Sequence, residues 1–121
     1  KTIVGVEINV SAIHDANINK ELNGISNCKF ICGDSGKVLK RLDKNFDVVI
    51  VDPPRSGLSE LSINEVISVG ANRVVYVSCD PVTLARDLNI FKEYYNIQEI
   101  SLFEMFPNTH HVESVCLLER R

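Results

Sequence analysis

The feature that most limits what this chain can fold into is the joint from Val74 to Leu88, Val-Val-Tyr-Val-Ser-Cys-Asp-Pro-Val-Thr-Leu-Ala-Arg-Asp-Leu. Val74 to Ser78 is rich in β-branched and aromatic side chains, which suit a pleated, half-buried strand. Asp80 and Pro81 then open a helix, Asp as N-cap and Pro at the first helical position, where its missing N–H is no loss. Val82, Ala85 and Leu88 follow at helical spacing. Cys79 therefore stands where a strand stops and a helix begins. A lone cysteine is more often a small buried apolar residue than a reactive one. A helix N-terminus, however, favours the thiolate of a cysteine beside it. In an open α/β sheet the carboxyl ends of the strands are also where ligands bind.

The rest of the chain repeats this alternation. Thr2 to Glu7 reads as a strand ending in an acid, and Ala12 to Asn23 as a helix stopped by Asn23-Gly24. Cys28 to Cys32 is a second strand, and Val38, Leu39 and Leu42 mark a short helix ending near Asp43. Asp47 to Asp52 is a continuous apolar run of the kind buried on both faces of a parallel sheet. Ile63, Val66 and Ile67 face one way on a further helix, with Gly70 just past its end. The Val74 strand and the Pro81 helix, running to about Tyr94, come next.

Two last strands, Ile97 to Phe106 and Ser114 to Glu119, are joined only by Pro107 to His111. A parallel crossover needs about a dozen residues, so this pair must be antiparallel. The pattern predicts an α/β sheet, mostly parallel, closed by an antiparallel hairpin.

Composition excludes several classes. The 121 residues are 45% hydrophobic and 24% charged, ordinary for one soluble domain. No apolar run approaches the roughly 20 residues of a membrane span, and no leader sequence opens the chain. The four cysteines, Cys28, Cys32, Cys79 and Cys116, lie mostly in strand-like runs, which predicts reduced thiols in a cytoplasmic protein. Cys28 and Cys32 are followed by no second ligand pair, so no zinc or other metal is expected. A net charge of −3 gives nucleic-acid binding no support by itself.

Glu7, Asp34, Asp52 and Cys79 fall at predicted strand ends on one edge of the sheet. An acid in that position accepts hydrogen bonds from ribose hydroxyls in nucleotide-binding half-sheets, although an Asp opening a helix, as Asp34 does, is equally a plain cap. Asp52-Pro53-Pro54-Arg55 adds two prolines that hold the chain extended with carbonyls exposed, so a flat ring can lie along it. Taken as structure alone, the same four residues make a rigid turn.

Three motifs in order are similar to a known family. Asp52-Pro53-Pro54-Arg55, then Ser78-Cys79-Asp80-Pro81 with Thr83-Leu84-Ala85-Arg86-Asp87, then Met105-Phe106-Pro107 with His111-Val112-Glu113, resemble the RNA uracil-5-methyltransferases. The resemblance covers essentially the whole chain. It implies a Rossmann-like class I methyltransferase sheet, with residues 1–121 as a single, partial S-adenosylmethionine-dependent domain forming the C-terminal catalytic portion. It implies Cys79 as nucleophile and Glu113 as proton acceptor. Glu7, Asp34 and Asp52 would bind S-adenosylmethionine, and Arg55 would lie near the target base. The implied activity is formation of 5-methyluridine in transfer or ribosomal RNA by a full-length monomer. His110 and His111 are assigned no chemistry.

The sequence departs from the family by omission. The glycine-rich turn of a nucleotide-binding half-sheet belongs roughly 20 residues before the strand-end acid, but only six residues precede Glu7. The first core strand, the glycine loop and the N-terminal region are absent. In some members that region carries an iron–sulfur cluster; Cys28, Cys32 and Cys116 do not match its ligands. Without the first strand, the strands of Glu7 and Asp52 each keep an unpaired inner edge, to be closed by direct pairing or by strand exchange. The 121 residues alone are therefore expected to bind S-adenosylmethionine weakly or not at all, to transfer no methyl group, and to self-associate.

Two other readings use the same residues. An amino-methyltransferase on a base nitrogen also uses a strand-end Asp-Pro-Pro, but it has no use for a cysteine nucleophile. A non-catalytic relic that binds RNA or a partner would have no reason to keep both Cys79 and Glu113.

Overall fold

The computed structural model describes residues 1–42, 46–105, 107–109 and 112–121. Phe106, His110 and His111 of the third motif, and Asp43 at the expected end of the short helix, lie outside the described residues. The chain forms two compact units, Lys1–Leu42 and Asp43–Arg121.

In the first unit, β1 (Ile3–Glu7) and β2 (Cys28–Cys32) pair in parallel, Ile3 opposite Cys28 and Glu7 opposite Cys32. The helix α1 (Val10–Leu22) joins them. It starts two residues earlier than the apolar spacing implied because Asn9 caps it, its Oδ1 accepting the amides of Ser11 and Ala12. It stops at Asn23-Gly24 as expected. The short α2 (Ser35–Leu39) follows β2, with Asp34 as its N-cap.

The second unit holds β3 (Val48–Val51), α3 (Glu60–Val69), β4 (Arg73–Ser78), α4 (Pro81–Phe91), β5 (Tyr95–Phe103) and β6 (Glu113–Arg120). Its sheet has the order β3-β4-β6-β5, the first pair parallel and the other two antiparallel. The expected hairpin is present, but β6 also lies beside β4, so the last strand sits inside the sheet. Among the described residues there are two parallel and two antiparallel ladders, in a two-stranded sheet and a four-stranded sheet. Among the described residues, β1 and β3 are each paired on one side only.

The core lies between the sheet of the second unit and its helices. Val74, Tyr76 and Ser78 of β4 alternate with half-buried neighbours, as do Ser114, Cys116 and Leu118 of β6. On α3 the buried residues are Ile63, Val66, Ile67 and Val69, and Gly70 ends the helix at φ 72°, a left-handed conformation that glycine adopts without strain. Phe91 of α4 meets Tyr76 and Tyr95 edge to face, with ring centroids 6.3 and 6.1 Å away, and the Tyr95 hydroxyl donates to the Ala71 carbonyl at 3.0 Å.

Two expectations change. Of the apolar residues at helical spacing on α4, only Leu88 lies on its inner face: Val82 is 77% exposed and Ala85 is exposed. The buried stripe is Leu84, Asp87, Leu88 and Phe91, a carboxylate standing among three apolar side chains, and the helix ends at Phe91. The run Asp47 to Asp52 is not buried on both faces either. As an edge strand among the described residues, β3 leaves Val48 and Ile50 exposed.

The aromatic cluster is the most consequential packing in this unit. Phe91→Ala is expected to cost about 3–5 kcal/mol by opening a cavity between Tyr76 and Tyr95, readable as a lowered urea midpoint with an unchanged denaturant slope.

Candidate active site

Within the first unit, the two acids stand at the same end of a parallel pair. Glu7 ends β1 opposite Cys32, and Asp34 follows two residues later. Both are exposed, and each has one carboxylate oxygen tied to a backbone amide: Glu7 Oε1 to Asn9 at 2.8 Å, and Asp34 Oδ1 to Lys37 at 3.0 Å. Their orientation is set by the chain immediately after them.

Within the second unit, Asp52 follows the carboxyl end of β3 and is exposed. Cys79 follows β4. Its position is fixed by a local staple, in which the Ser78 hydroxyl donates to the Asp80 carbonyl at 2.9 Å and accepts the Asp80 amide at 3.1 Å. The chain thus turns tightly around a half-buried thiol. Across the sheet, the β4–β6 ladder ends on the pair Ser78↔Ser114, and the next residue beyond that pair on each strand is Cys79 and Glu113 respectively. The antiparallel register brings these two to the same end of the same ladder. The Ser114 hydroxyl is buried without a hydrogen-bond partner among the described residues.

The helix end does not wait open for the thiol. Asp80 Oδ1 accepts the amides of Val82 at 2.9 Å and Thr83 at 3.0 Å. These bonds, that of Thr83 foremost, hold the Asp80 carboxyl below its usual range, and the charge of Arg55 lowers it further. The positive end of α4 is therefore answered by its own cap, and Arg55 is the cation nearby.

Glu113 also borders an open groove of about 410 Å³ with Val77, Phe103, Met105 and Val115. It lies on the face of the sheet away from Tyr76 and Phe91, and Cys79, Asp52 and Arg55 are outside its lining. Among the described residues no cluster of His, Cys, Asp and Glu could hold a metal, and no helix is long and apolar enough to cross a membrane.

What the sequence reading missed lies on α4. Asp87 is fully buried, and its Oδ2 accepts the Tyr76 hydroxyl at 2.6 Å and the Leu58 amide at 2.8 Å. Burial, and then the bond to Asp87, push the Tyr76 phenol well above its usual range, so it keeps its proton and always donates. The available signal was an acid at i+3 from Leu84 and i+7 from Asp80, inside an apolar period.

This α/β arrangement of parallel and antiparallel strands is shared with solved methyltransferases. The tRNA (uracil-54, C5)-methyltransferase of Pyrococcus abyssi, solved with S-adenosyl-L-homocysteine, superposes with a TM-score of 0.86 at 38% identity, over 97% of this chain and 28% of that one. TrmN from Thermus thermophilus shares the fold alone, with a TM-score of 0.78 at 18% identity over 99% of this chain and 36% of that one. The family model of tRNA (uracil-5-)-methyltransferase matches residues 1–121, and the chain belongs to that family. Uncharacterized RNA methyltransferases of Clostridium acetobutylicum and Bacillus cereus are 42% and 46% identical over 120 and 123 residues, each match covering 98% of this chain. The chain spans 26% and 27% of the length of these two relatives.

The thiols differ enough to be told apart chemically. Cys32 is exposed and Cys79 half-buried, whereas Cys116 is fully buried and its thiol is pushed up to about 11 by that burial. Brief iodoacetamide treatment of the folded protein at about pH 8 should label Cys32 and Cys79 and spare Cys116 until denaturant is added. Peptide mass spectrometry reads this directly, and early labelling of Cys116 would show that the core face of β6 is open.

Proposed function

We propose that this chain is the catalytic part of an S-adenosylmethionine-dependent RNA methyltransferase that methylates carbon 5 of uridine, its two units being parts of one domain. The observation that carries the reading is the register of β4 and β6, whose last pair, Ser78 and Ser114, puts Cys79 and Glu113 next in line at one end of the ladder. Family membership supports it, as does the tRNA (uracil-54, C5) activity named for the Pyrococcus abyssi protein.

The residues present suit the cofactor. Glu7 and Asp34 are exposed acids whose backbone bonds each use a single carboxylate oxygen, so each can accept from a ribose hydroxyl. Asp52 offers a further acceptor at the end of β3. When bound, S-adenosylmethionine supplies an electrophilic methyl group. The protein's own work is at the pyrimidine. Carbon 5 of uracil is a poor nucleophile. Addition of the Cys79 thiolate to carbon 6 forms a C–S bond and moves the ring electrons into an enolate, which makes carbon 5 nucleophilic. After methylation, carbon 5 carries both the methyl group and its original proton. Glu113 takes that proton, the electron pair restores the carbon 5–carbon 6 double bond, and the C–S bond breaks to return the thiolate. The target nucleotide must leave its stack to reach both groups. Arg55, whose charge reaches Asp80 next to Cys79, is suited to hold the ring or its phosphate.

The two roles separate by mutation in a protein of the relatives' full length. Cys79→Ala is expected to abolish methyl transfer to RNA, by about a thousandfold or more, while cofactor binding measured by calorimetry stays intact. Activity within about tenfold of wild type would remove the covalent route.

Glu113→Gln should transfer the methyl group once and then stall. A protein–RNA adduct carrying labelled methyl should persist on a denaturing gel, since the carbon 5 proton has no acceptor. Normal turnover with no adduct would assign the base elsewhere.

A further inference from the structure

The loop after β3 has no regular structure, yet its backbone is held by one face of α4. Thr83 Oγ1 donates to the Arg55 carbonyl at 2.9 Å. Arg86 Nη2 donates to the carbonyls of Ser56 at 2.9 Å and Leu58 at 3.1 Å. The Leu58 amide donates to Asp87 Oδ2 at 2.8 Å, and Arg86 is itself held to Asp87 Oδ1 through Nε at 2.8 Å and Nη2 at 2.6 Å. The loop turns on Gly57, whose amide donates to the Pro54 carbonyl at 2.8 Å and whose φ is +73°. A Cβ at Gly57 would come within 2.6 Å of both Arg86 Nη2 and Asp87 Oδ2, so the loop backbone lies directly on this pair. A surface loop ordinarily leaves such groups to water.

We infer that Thr83, Arg86 and Asp87 are positioning residues that clamp the Arg55–Leu58 backbone to α4 and so deliver the Arg55 side chain to the end of β4, where Cys79 stands. The inference rests on the reading of Cys79 as the nucleophile toward uracil. It assigns different supports to two neighbours on the same loop. Asp52 directly follows Val51, which the ladder fixes opposite Tyr76. Arg55 lies beyond the two prolines and is held from α4. Loss of the clamp should therefore disturb the handling of the target base and leave the cofactor end of the loop in place.

The clamp also explains why an acid is tolerated inside the apolar stripe of α4. Asp87 is fully buried, and it accepts from a hydroxyl, a backbone amide and a guanidinium. A buried carboxylate is stable only with such a set of donors. Here the three partners belong to the wall of the core, the loop and the arginine that itself grips the loop.

The test uses the full-length protein with Thr83→Val, Thr83→Ser, Arg86→Ala and Asp87→Asn. Two measurements are made: hydrogen exchange of the 55–58 amides without substrate, and single-turnover methylation at saturating RNA and cofactor. Thr83→Val and Arg86→Ala should speed exchange at Leu58 and slow methylation by about tenfold or more, with cofactor Kd within about threefold of wild type, and Thr83→Ser should restore both. Asp87→Asn should behave like Arg86→Ala if it folds; the two threonine variants carry the test if it does not. Faster exchange with an unchanged methylation rate would overturn the inference, as would unchanged exchange. A parallel rise in cofactor Kd would also overturn it, by showing that the clamp supports the whole site. Faster exchange in the variants of a protein whose wild type leaves uracil carbon 5 unmethylated would instead sink the proposed function and, with it, the assignment of Arg55.

Discussion

A slip of one residue between β4 and β6 would turn Cys116 and Leu118 out of the core and Val115 and Leu117 into it. Side chains alternate along both strands, so register decides at once which residues are buried and which residues meet at the strand ends. Tyr76 packs edge to face on Phe91, and the fully buried Val74, Cys116 and Leu118 share its side of the sheet. That packing selects the register running from Arg73↔Glu119 to Ser78↔Ser114. Cys79 and Glu113 inherit their positions from it. Neither needs a contact of its own to be brought to the same end of the ladder, because the hydrophobic core has already aligned the strands that carry them.

The polar interior of this unit follows a different rule. Replacing a buried ionic group with apolar side chains is often neutral or stabilising, whereas removing one partner leaves a charge without compensation and costs about 3–5 kcal/mol. Asp87 with Arg86, Tyr76 and Leu58 is therefore better understood as a device for geometry than as a source of stability. The Arg86–Asp87 ion pair has one fully buried partner and one that is 55% exposed. The guanidinium can thus keep contact with water while its Nε and Nη2 fork holds Asp87 and Nη2 reaches two loop carbonyls. A lysine there would carry the charge but not the fork.

The local joints of this fold were legible because their chemistry is local. Asp80-Pro81 opens α4, Gly70 ends α3 and Asn23-Gly24 ends α1, each where the sequence puts a residue whose backbone preference allows little else. The inner face of α4 was not legible in the same way. Val82, Ala85 and Leu88 match a helical period, and so do Leu84, Leu88 and Phe91; only the second set faces the core, and the acid within it hides the stripe. The double burial expected for Asp47 to Asp52 failed for another reason, since an apolar run does not say whether a neighbour exists to cover its second face. The place of β6 is a non-local fact. A short link predicts its hairpin with β5 but not its second pairing with β4. The association of Cys79 with Glu113 rests on motif resemblance; the strand register shows only that the two positions lie at the same end of one ladder.

The position of β6 has a consequence for how the chain is made. It follows β5 in order of synthesis yet lies between β5 and β4. As the ribosome releases the chain, β4 and α4 emerge first, and β5 then has no strand to join until β6 arrives. At about 5–20 residues per second this interval lasts roughly a few seconds. Throughout it the thiol of Cys79 is already out of the exit tunnel and its sheet edge is open. A nascent chain in that state is the form most exposed to oxidants and to other strands. The open edge of β4 and the end of the ladder beside Cys79 are closed in one event, when β6 slots between β4 and β5.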